Sequence, residues 1–459
     1  VAVNLPATPL LPTALPVLPA HTRPVVRDLL GGHRDLLHEL SHGLCGPFHV
    51  LFPGEFAVNI AAFRAALTRH GVDGRVYYAK KANKAACWVE RCADAGIGID
   101  VASTGELRES LGHGVRGEDI VVTGPAKSDE LLQLAVRHRC LVTVDSPDEL
   151  GRLIGLSTGR DTVRVLLRVL PPSQPDSRFG FDADELEAAL HRCRQVTAWI
   201  RLEGFSFHLS GYDVQPRADL TGHLLGLCRR ARALGLPAGT VDIGGGFAVD
   251  YVGAEDWHRF HSGNADEHFH SGRRFAGFYP YHSPTAGADV LTAVLAATPA
   301  GESRALSDLL RDAGVTLLAE PGRALLDQAG CTVFRVQGVK AREYGILTVD
   351  GTSLSLSEQW FASEFLPDPV LLRRHPRPGP AFAACVGGAS CLESDMLTWR
   401  KIVFPTRPEP GDLLVYLNTA GYQMDSNESR FHELPLPPKV VLDEEFRWRL
   451  DRRPAGEAR

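Results

Sequence analysis

The sequence predicts an α/β fold: a (β/α)8 TIM barrel, with a C-terminal all-β domain completed by a strand from the N-terminal side. Eight apolar, strand-like runs alternate with helical stretches between residues 76 and 323. Eight β/α units in about 250 residues is the count that closes a barrel through right-handed crossovers. Beyond Arg323 the texture changes to short β-rich runs separated by Gly and Pro, with no regular helix between them.

The 459 residues, 44% of them hydrophobic, are ample for two domains with sizeable cores. A formal net charge of −6 leaves no basic footprint, so no nucleic acid is expected as a partner. No run approaches the ~18 apolar residues of a membrane span. The first residues lack the charged region of a secretory signal, and prolines interrupt their apolar residues. The nine cysteines form no CxxC pair, which suits a reducing, cytoplasmic setting with mostly packed thiols.

Taken in order, residues 1–45 are a proline-rich arm followed by a helix. The arm, to about residue 24, is poor in charge and is expected to lie extended on the body or on a neighbouring subunit. Leu29, Leu30, Leu36, Leu37 and Leu40 give residues 26–42 helical spacing. Residues 46–55 carry the short strand expected to join the β-domain. The barrel domain, 56–330, opens on an amphipathic helix at 56–70. Its eight strand runs are 76–82, 98–103, 120–124, 141–146, 163–170, 202–209, 240–247 and 316–323. An insert at 251–281, rich in histidine and aromatic residues, precedes a helix at 286–297. Histidine density alone is a weak metal signal without HExxH or paired cysteines, so no metal is expected. The insert is read as a lid, a dimer contact or a solvated loop. The β-domain, 331–459, contains runs at 331–339, 344–350, 381–387, 412–417 and 439–442.

The chemistry gathers at strand ends, where a barrel places its active site. The first barrel run, Val76-Tyr-Tyr-Ala-Lys-Lys-Ala-Asn-Lys84, drives two lysines to its carboxyl end, and alternation sends Lys80 and Lys81 opposite ways. Run six ends Phe205-Ser-Phe-His-Leu-Ser-Gly211, run seven Asp242-Ile-Gly-Gly-Gly246 and run eight Glu320-Pro-Gly-Arg323. Glycines let backbone N–H groups approach a phosphate, and an arginine adds bidentate charge. A triple glycine alone is often just a tight turn, and Glu-Pro-Gly-Arg alone can be a surface turn.

Together these motifs resemble the fold-type III pyridoxal-phosphate decarboxylases, with their alanine racemase-like barrel: the ornithine, diaminopimelate, arginine and carboxynorspermidine decarboxylases. The resemblance runs from about Phe48 to Val441. It is carried by Tyr78-Ala-Lys-Lys-Ala-Asn83, Gly96-Ile-Gly-Ile-Asp-Val-Ala-Ser-Thr-Gly-Glu-Leu107, Phe207-His-Leu209, Gly244-Gly-Gly246, Glu320-Pro-Gly-Arg323, Cys391-Leu-Glu-Ser-Asp395 and Asn418-Thr-Ala-Gly-Tyr422.

The resemblance implies that Lys81 binds pyridoxal 5'-phosphate covalently, that Lys80 faces outward, and that His208 lies against the cofactor ring. Gly244, Gly245, Gly246, Gly322 and Arg323 would hold the phosphate, helped by Ser210 and Tyr422. Two motifs depart from the family: His-Leu-Ser-Gly stands where it usually reads His-x-Gly-Ser, and Ala-Gly-Tyr where it usually reads Gly-Ala-Tyr. Glu320 would keep the pyridine nitrogen protonated, giving the electron sink that decarboxylation needs. Cys391, supplied by the partner subunit of a homodimer with shared active sites, would protonate Cα. Leu392, Glu393 and Asp395 are the residues expected to meet the amino-acid substrate, and Arg178, in the loop after the fifth run, either binds a distal carboxylate or orders that loop. Leu392 replaces the acid with which ornithine- and diaminopimelate-type enzymes pair a distal ammonium. The expected function is decarboxylation of an amino acid or amino-acid conjugate, in specialised metabolism. A racemase or epimerase on the same scaffold, and a non-catalytic binder of the cofactor, are the alternatives.

Overall fold

The computed structural model describes residues 15–157, 162–356 and 363–451. The outermost parts of the proline-rich arm and of the C-terminal segment, 1–14 and 452–459, lie outside the described residues. The described chain divides into two compact units. One comprises residues 56–248 and 285–325; the other comprises 15–55, 249–284 and 326–451.

The first unit is the closed parallel barrel. Its strands, in sequence and in space, are Gly74–Ala79, Gly98–Val101, Ile120–Val122, Leu141–Val144, Val163–Arg168, Ile200–Ser206, Thr240–Asp242 and Thr316–Ala319. Closure comes from Gly74, Arg75 and Val76 pairing with Leu317, Leu318 and Ala319. All eight expected runs are strands, though several are shorter, because their last residues turn out of the ladder to carry polar side chains. Tyr77, Val121, Leu141, Leu166 and Leu318 pack together inside. Helices start cleanly at the strand ends. The Ser103 hydroxyl accepts from Glu106 N at 3.2 Å while the Glu106 carboxylate accepts from Ala102 N at 2.7 Å. That is a capping box in all but one residue of register, and Asp182 with Glu185 forms a complete one.

The second unit is built on a sheet of nine strands among the described residues. Phe48–Leu51 lies within it, antiparallel to Gly330–Ala341 and parallel to Lys439–Leu442. The strand before the barrel thus joins the all-β domain, as expected. Val370–Leu372, Met396–Phe404 and Trp448–Leu450 are strands the sequence did not announce. The single helix expected over 26–42 is two, Pro24–Gly32 and Arg34–Leu44, broken at His33 after two glycines that favour no helix interior. Val26, Leu29, Leu37 and Leu40 from these helices pack with Phe48, Val50, Val333, Val415 and Val440 in one core.

The insert belongs to this unit. Helix Ala254–Gly263 and two 3-10 turns present a cluster of rings in which Tyr251, Phe260, Phe269, Tyr279 and Tyr281 are buried. Tyr281 packs edge-on to Tyr251, Tyr279 and Phe365. Phe269 bridges to Arg400 of the sheet, and His270 Nδ1 meets the Tyr344 hydroxyl at 2.8 Å. Such a segment is a packed layer on the sheet rather than a solvated loop. No helix among the described residues is long and apolar enough to cross a membrane.

Candidate active site

Four barrel strand ends bring amine, imidazole, glycine and acid together. Lys80, Lys81 and Ala82 form a single 3-10 turn directly after the first strand, so the two lysines diverge. The Lys80 side chain is 1% exposed and pairs with Glu109 Oε2 at 2.9 Å. It therefore faces away from the barrel axis but into the helical layer, not into water. The Lys81 side chain is 47% exposed, and its Nζ lies 2.9 Å from Asp100 Oδ2 on the next strand. Asp100 is held in turn by the Thr123 hydroxyl, which donates to Oδ1 at 2.5 Å. Sequence reading assigned Asp100 no role, although it stands out as a charged residue ending an apolar strand.

The lysine strand is tied to the acid strand by Ala79 N donating to Pro321 O at 3.3 Å. Glu320, buried, donates its own N–H to Gly244 O at 2.9 Å. Burial pushes the Glu320 carboxyl well above its ordinary range, and the nearby Asp100 and Asp242 push it further. Asp242 is raised to about 6, again chiefly by burial. Asp100, Asp242 and Glu320 thus form a cluster of carboxyl groups, with Lys81 acting on Asp100 and Glu320 and Arg168 on Asp242. Asp242 Oδ1 accepts from Gly244 N at 2.8 Å and so shapes the glycine turn.

That turn is crowded by design of its sequence. Gly244 and Gly246 have φ of +64° and +79°, a region closed to most side chains. A Cβ at Gly244 would stand 2.7 Å from His208 Nδ1, and one at Gly245 would stand 2.9 Å from Glu320 O. His208 is pushed down to about 3 by burial and by Lys81, Arg168 and Arg217, so its ring is neutral at physiological pH. Arg323, 5% exposed, begins the turn after Pro321-Gly322. Ser210 is exposed. Arg178 is exposed as well, its guanidinium 4.3 Å from the centre of the Phe179 ring, which Arg168 also covers.

The residues expected from the β-domain lie in the second unit. Cys391, Leu392 and Glu393 are exposed on one loop. Asp395 at its end is buried and accepts from Ser353 N at 2.7 Å and Ser390 N at 3.1 Å. Tyr422 has φ of +76° in the turn after Leu413–Leu417.

Residues 55–271 match the family model described as the pyridoxal-binding domain of pyridoxal-dependent decarboxylases. An uncharacterized protein, y4yA, of Sinorhizobium fredii is 38% identical over 433 residues, covering 93% of this chain and 94% of its own. The chain belongs to the pyridoxal-dependent decarboxylase family. The diaminopimelate decarboxylase of Actinosynnema pretiosum is 29% identical, over 88% of this chain and 85% of its own. Among solved structures, diaminopimelate decarboxylase from M. jannaschii in complex with L-lysine superposes with a TM-score of 0.72 at 20% identity, covering 91% of each chain. That likeness is one of fold.

The decarboxylase is therefore a carboxy-lyase acting on an amino acid, with pyridoxal 5'-phosphate as its cofactor. The barrel residues fit that group. An accessible amine suits its aldehyde, a cluster of buried acids suits a protonated ring nitrogen, and a glycine turn that no side chain could enter suits a phosphate.

Proposed function

We propose that this enzyme converts an amino acid or an amino-acid conjugate to the corresponding amine at the barrel's strand ends, as one half of a homodimer. The observation that carries the reading is the convergence of Lys81, Glu320 and the Gly244–Gly246 turn, from the first, eighth and seventh barrel strands. Bound there, the cofactor draws electrons from the bond broken at Cα.

This chain's residues supply the rest. Lys81, its Nζ 2.9 Å from Asp100, would be the residue that holds the cofactor through its aldehyde carbon, with Asp100 as the amine's partner. Glu320 would pair with the ring nitrogen, and a carboxyl raised by burial and by Asp100 and Asp242 is suited to sharing a proton there. Neutral His208 offers a flat face without adding a competing cation. Gly244, Gly245, Gly246, Gly322 and Arg323 would hold the phosphate, and Tyr422 is the residue the family resemblance adds to them. Cys391, contributed by a second copy of the chain, returns a proton to Cα after carbon dioxide leaves.

Asp395 holds its loop through two backbone amides, and Leu392 and Glu393, exposed beside Cys391 on that loop, are the side chains we assign to substrate selection. Arg178, exposed near the end of the fifth barrel strand, is suited to a distal carboxylate.

The test is direct. The protein reconstituted with pyridoxal 5'-phosphate should be yellow, and Lys81→Ala should lose both the visible band and turnover. Amino acids with and without a distal ammonium, free and conjugated, in both chiralities, are then screened for carbon dioxide release. Exchange of the Cα hydrogen with solvent without any gas would replace decarboxylation by racemisation. In Glu320→Gln the cofactor should stay bound while kcat falls about 100-fold, the scale of removing one preorganised electrostatic contact.

A further inference from the structure

One buried cation in the barrel has so far appeared only for its effect on His208. Arg217 lies on helix Val214–Ala233, and its side chain is among the largest fully buried ones in the protein. Nη1 donates to Gly245 O at 2.7 Å. Nε and Nη2 are buried and have no hydrogen-bond partner among the described residues. No carboxylate of the described residues forms an ion pair with it. A guanidinium in that state loses its hydration and recovers little, which ordinarily argues against keeping a charge there. Burial pushes its pKa down to about 10, still charged at neutral pH.

The direction of the unpartnered atoms matters. A Cβ placed on Gly246 would stand 2.7 Å from Arg217 Nη2 and 3.1 Å from Gly211 O. Nη2 therefore lies against the side of Gly246 on which a side chain would project, directly beneath the glycine turn. Phe247 covers it from one side, with Cζ 5.1 Å from the ring centre. Ser210, the hydroxyl expected to serve the phosphate, is exposed instead.

We propose that Arg217 is a phosphate-positioning residue of this chain: its Nε and Nη2 donate to the cofactor's phosphate from beneath the Gly244–Gly246 turn, taking the part that the shifted Ser210 leaves open. The inference rests on the glycine turn receiving that phosphate. It explains why a solitary arginine is buried here and why a glycine rather than any larger residue stands at 246.

Affinity of the apoprotein is measured for pyridoxal 5'-phosphate and for pyridoxal, which lacks the phosphate, by absorbance and fluorescence titration. The wild type should prefer the phosphorylated form strongly. In Arg217→Gln that preference should shrink about 10- to 100-fold, the scale of lost charge-assisted hydrogen bonds, with pyridoxal affinity unchanged. Inorganic phosphate should raise the melting temperature of the wild-type apoprotein and leave that of Arg217→Gln in place. Arg217→Lys, which keeps a charge but not the fork, should fall between the two and carries the test if the glutamine variant does not fold. A preference equal to the wild type's in either variant, or a loss equal for both ligands, overturns the proposal. A wild type with no preference at all would instead overturn the glycine turn as the phosphate's seat.

Discussion

Asp242 shows what the barrel gives up when its cofactor is absent. Its folded pKa of about 6 lies above the ordinary carboxylate value, so the stability it contributes is present below pH ~4 and is lost as the pH rises through 6. At pH 8 the apoprotein therefore carries a buried anion beside Asp100 and Glu320. Asp242→Asn, which can still accept from Gly244 N, should stabilise the apoprotein at pH 8 by about 1–3 kcal/mol and change little at pH 4. Denaturant melts of the apoprotein at both pH values check this, and equal shifts at the two would refute it. His208 works with the opposite sign. Its pKa is depressed to about 3, so neutral burial stabilises above pH ~6.5 and is lost as the pH falls toward 3. Lys81, His208, Glu320 and the glycines are legible in the sequence because each is an odd residue at the end of an apolar run. Asp100, Asp242 and Arg217 are equally odd, yet their significance appears only when strands far apart in sequence converge. Arg217 had one local trace, a charge in register with the buried Thr221, Leu224 and Cys228 of its helix.

At the scale of elements, part of what looks like chemistry is helix initiation. The stretch Ala102-Ser-Thr-Gly-Glu106 starts a helix through Ser103 and Glu106. The same device recurs after the fourth strand, where Ser146 accepts from Glu149 N and the Glu149 carboxylate accepts from Asp145 N. There it has a second duty, because Lys127 and Glu149 are 1% and 0% exposed and lie 3.0 Å apart. Lys127 Nζ also donates to Gly124 O and Thr143 O, so its amine has no route to water. Glu149→Gln leaves that ammonium buried without its counter-charge and should destabilise the protein by about 3–5 kcal/mol, seen as a lowered denaturation midpoint. A change within about 0.5 kcal/mol would mean the lysine is neutral there. The insert obeys packing in the same way. Tyr281→Ala should cost about 3–5 kcal/mol, whereas a solvated loop would tolerate it. One of the strands missed by sequence reading has a visible cause: Met396–Phe404 contains Arg400-Lys401 in mid-strand. Arg400 is buried only because Asp368, Leu366 O and Pro16 O, all distant in sequence, surround it. Periodicity cannot report a charge neutralised from elsewhere in the chain.

For the molecule as a whole, the proposed division of labour makes a claim that one chain cannot satisfy alone. Lys81 and Glu320 sit in the barrel, while Cys391 sits on an exposed loop of the other unit, shaped by Asp395 so that Leu392 is left 52% exposed. If two copies associate about a twofold axis, each loop that serves the neighbouring barrel is matched by the reciprocal one, giving two equivalent sites built from both chains. Lys81→Ala and Cys391→Ala should then each be nearly inactive as pure species but complement when mixed. After random reassortment half of the dimers are mixed, and each mixed dimer holds one site with both residues intact. Activity should therefore return to roughly a quarter of the wild-type value. Recovery must depend on subunit exchange, so differently tagged variants purified as mixed dimers should carry about half of wild-type activity per dimer. A mixture that stays as inactive as its components, with mixed dimers demonstrably formed, would place the thiol's action within its own chain or outside the reaction altogether.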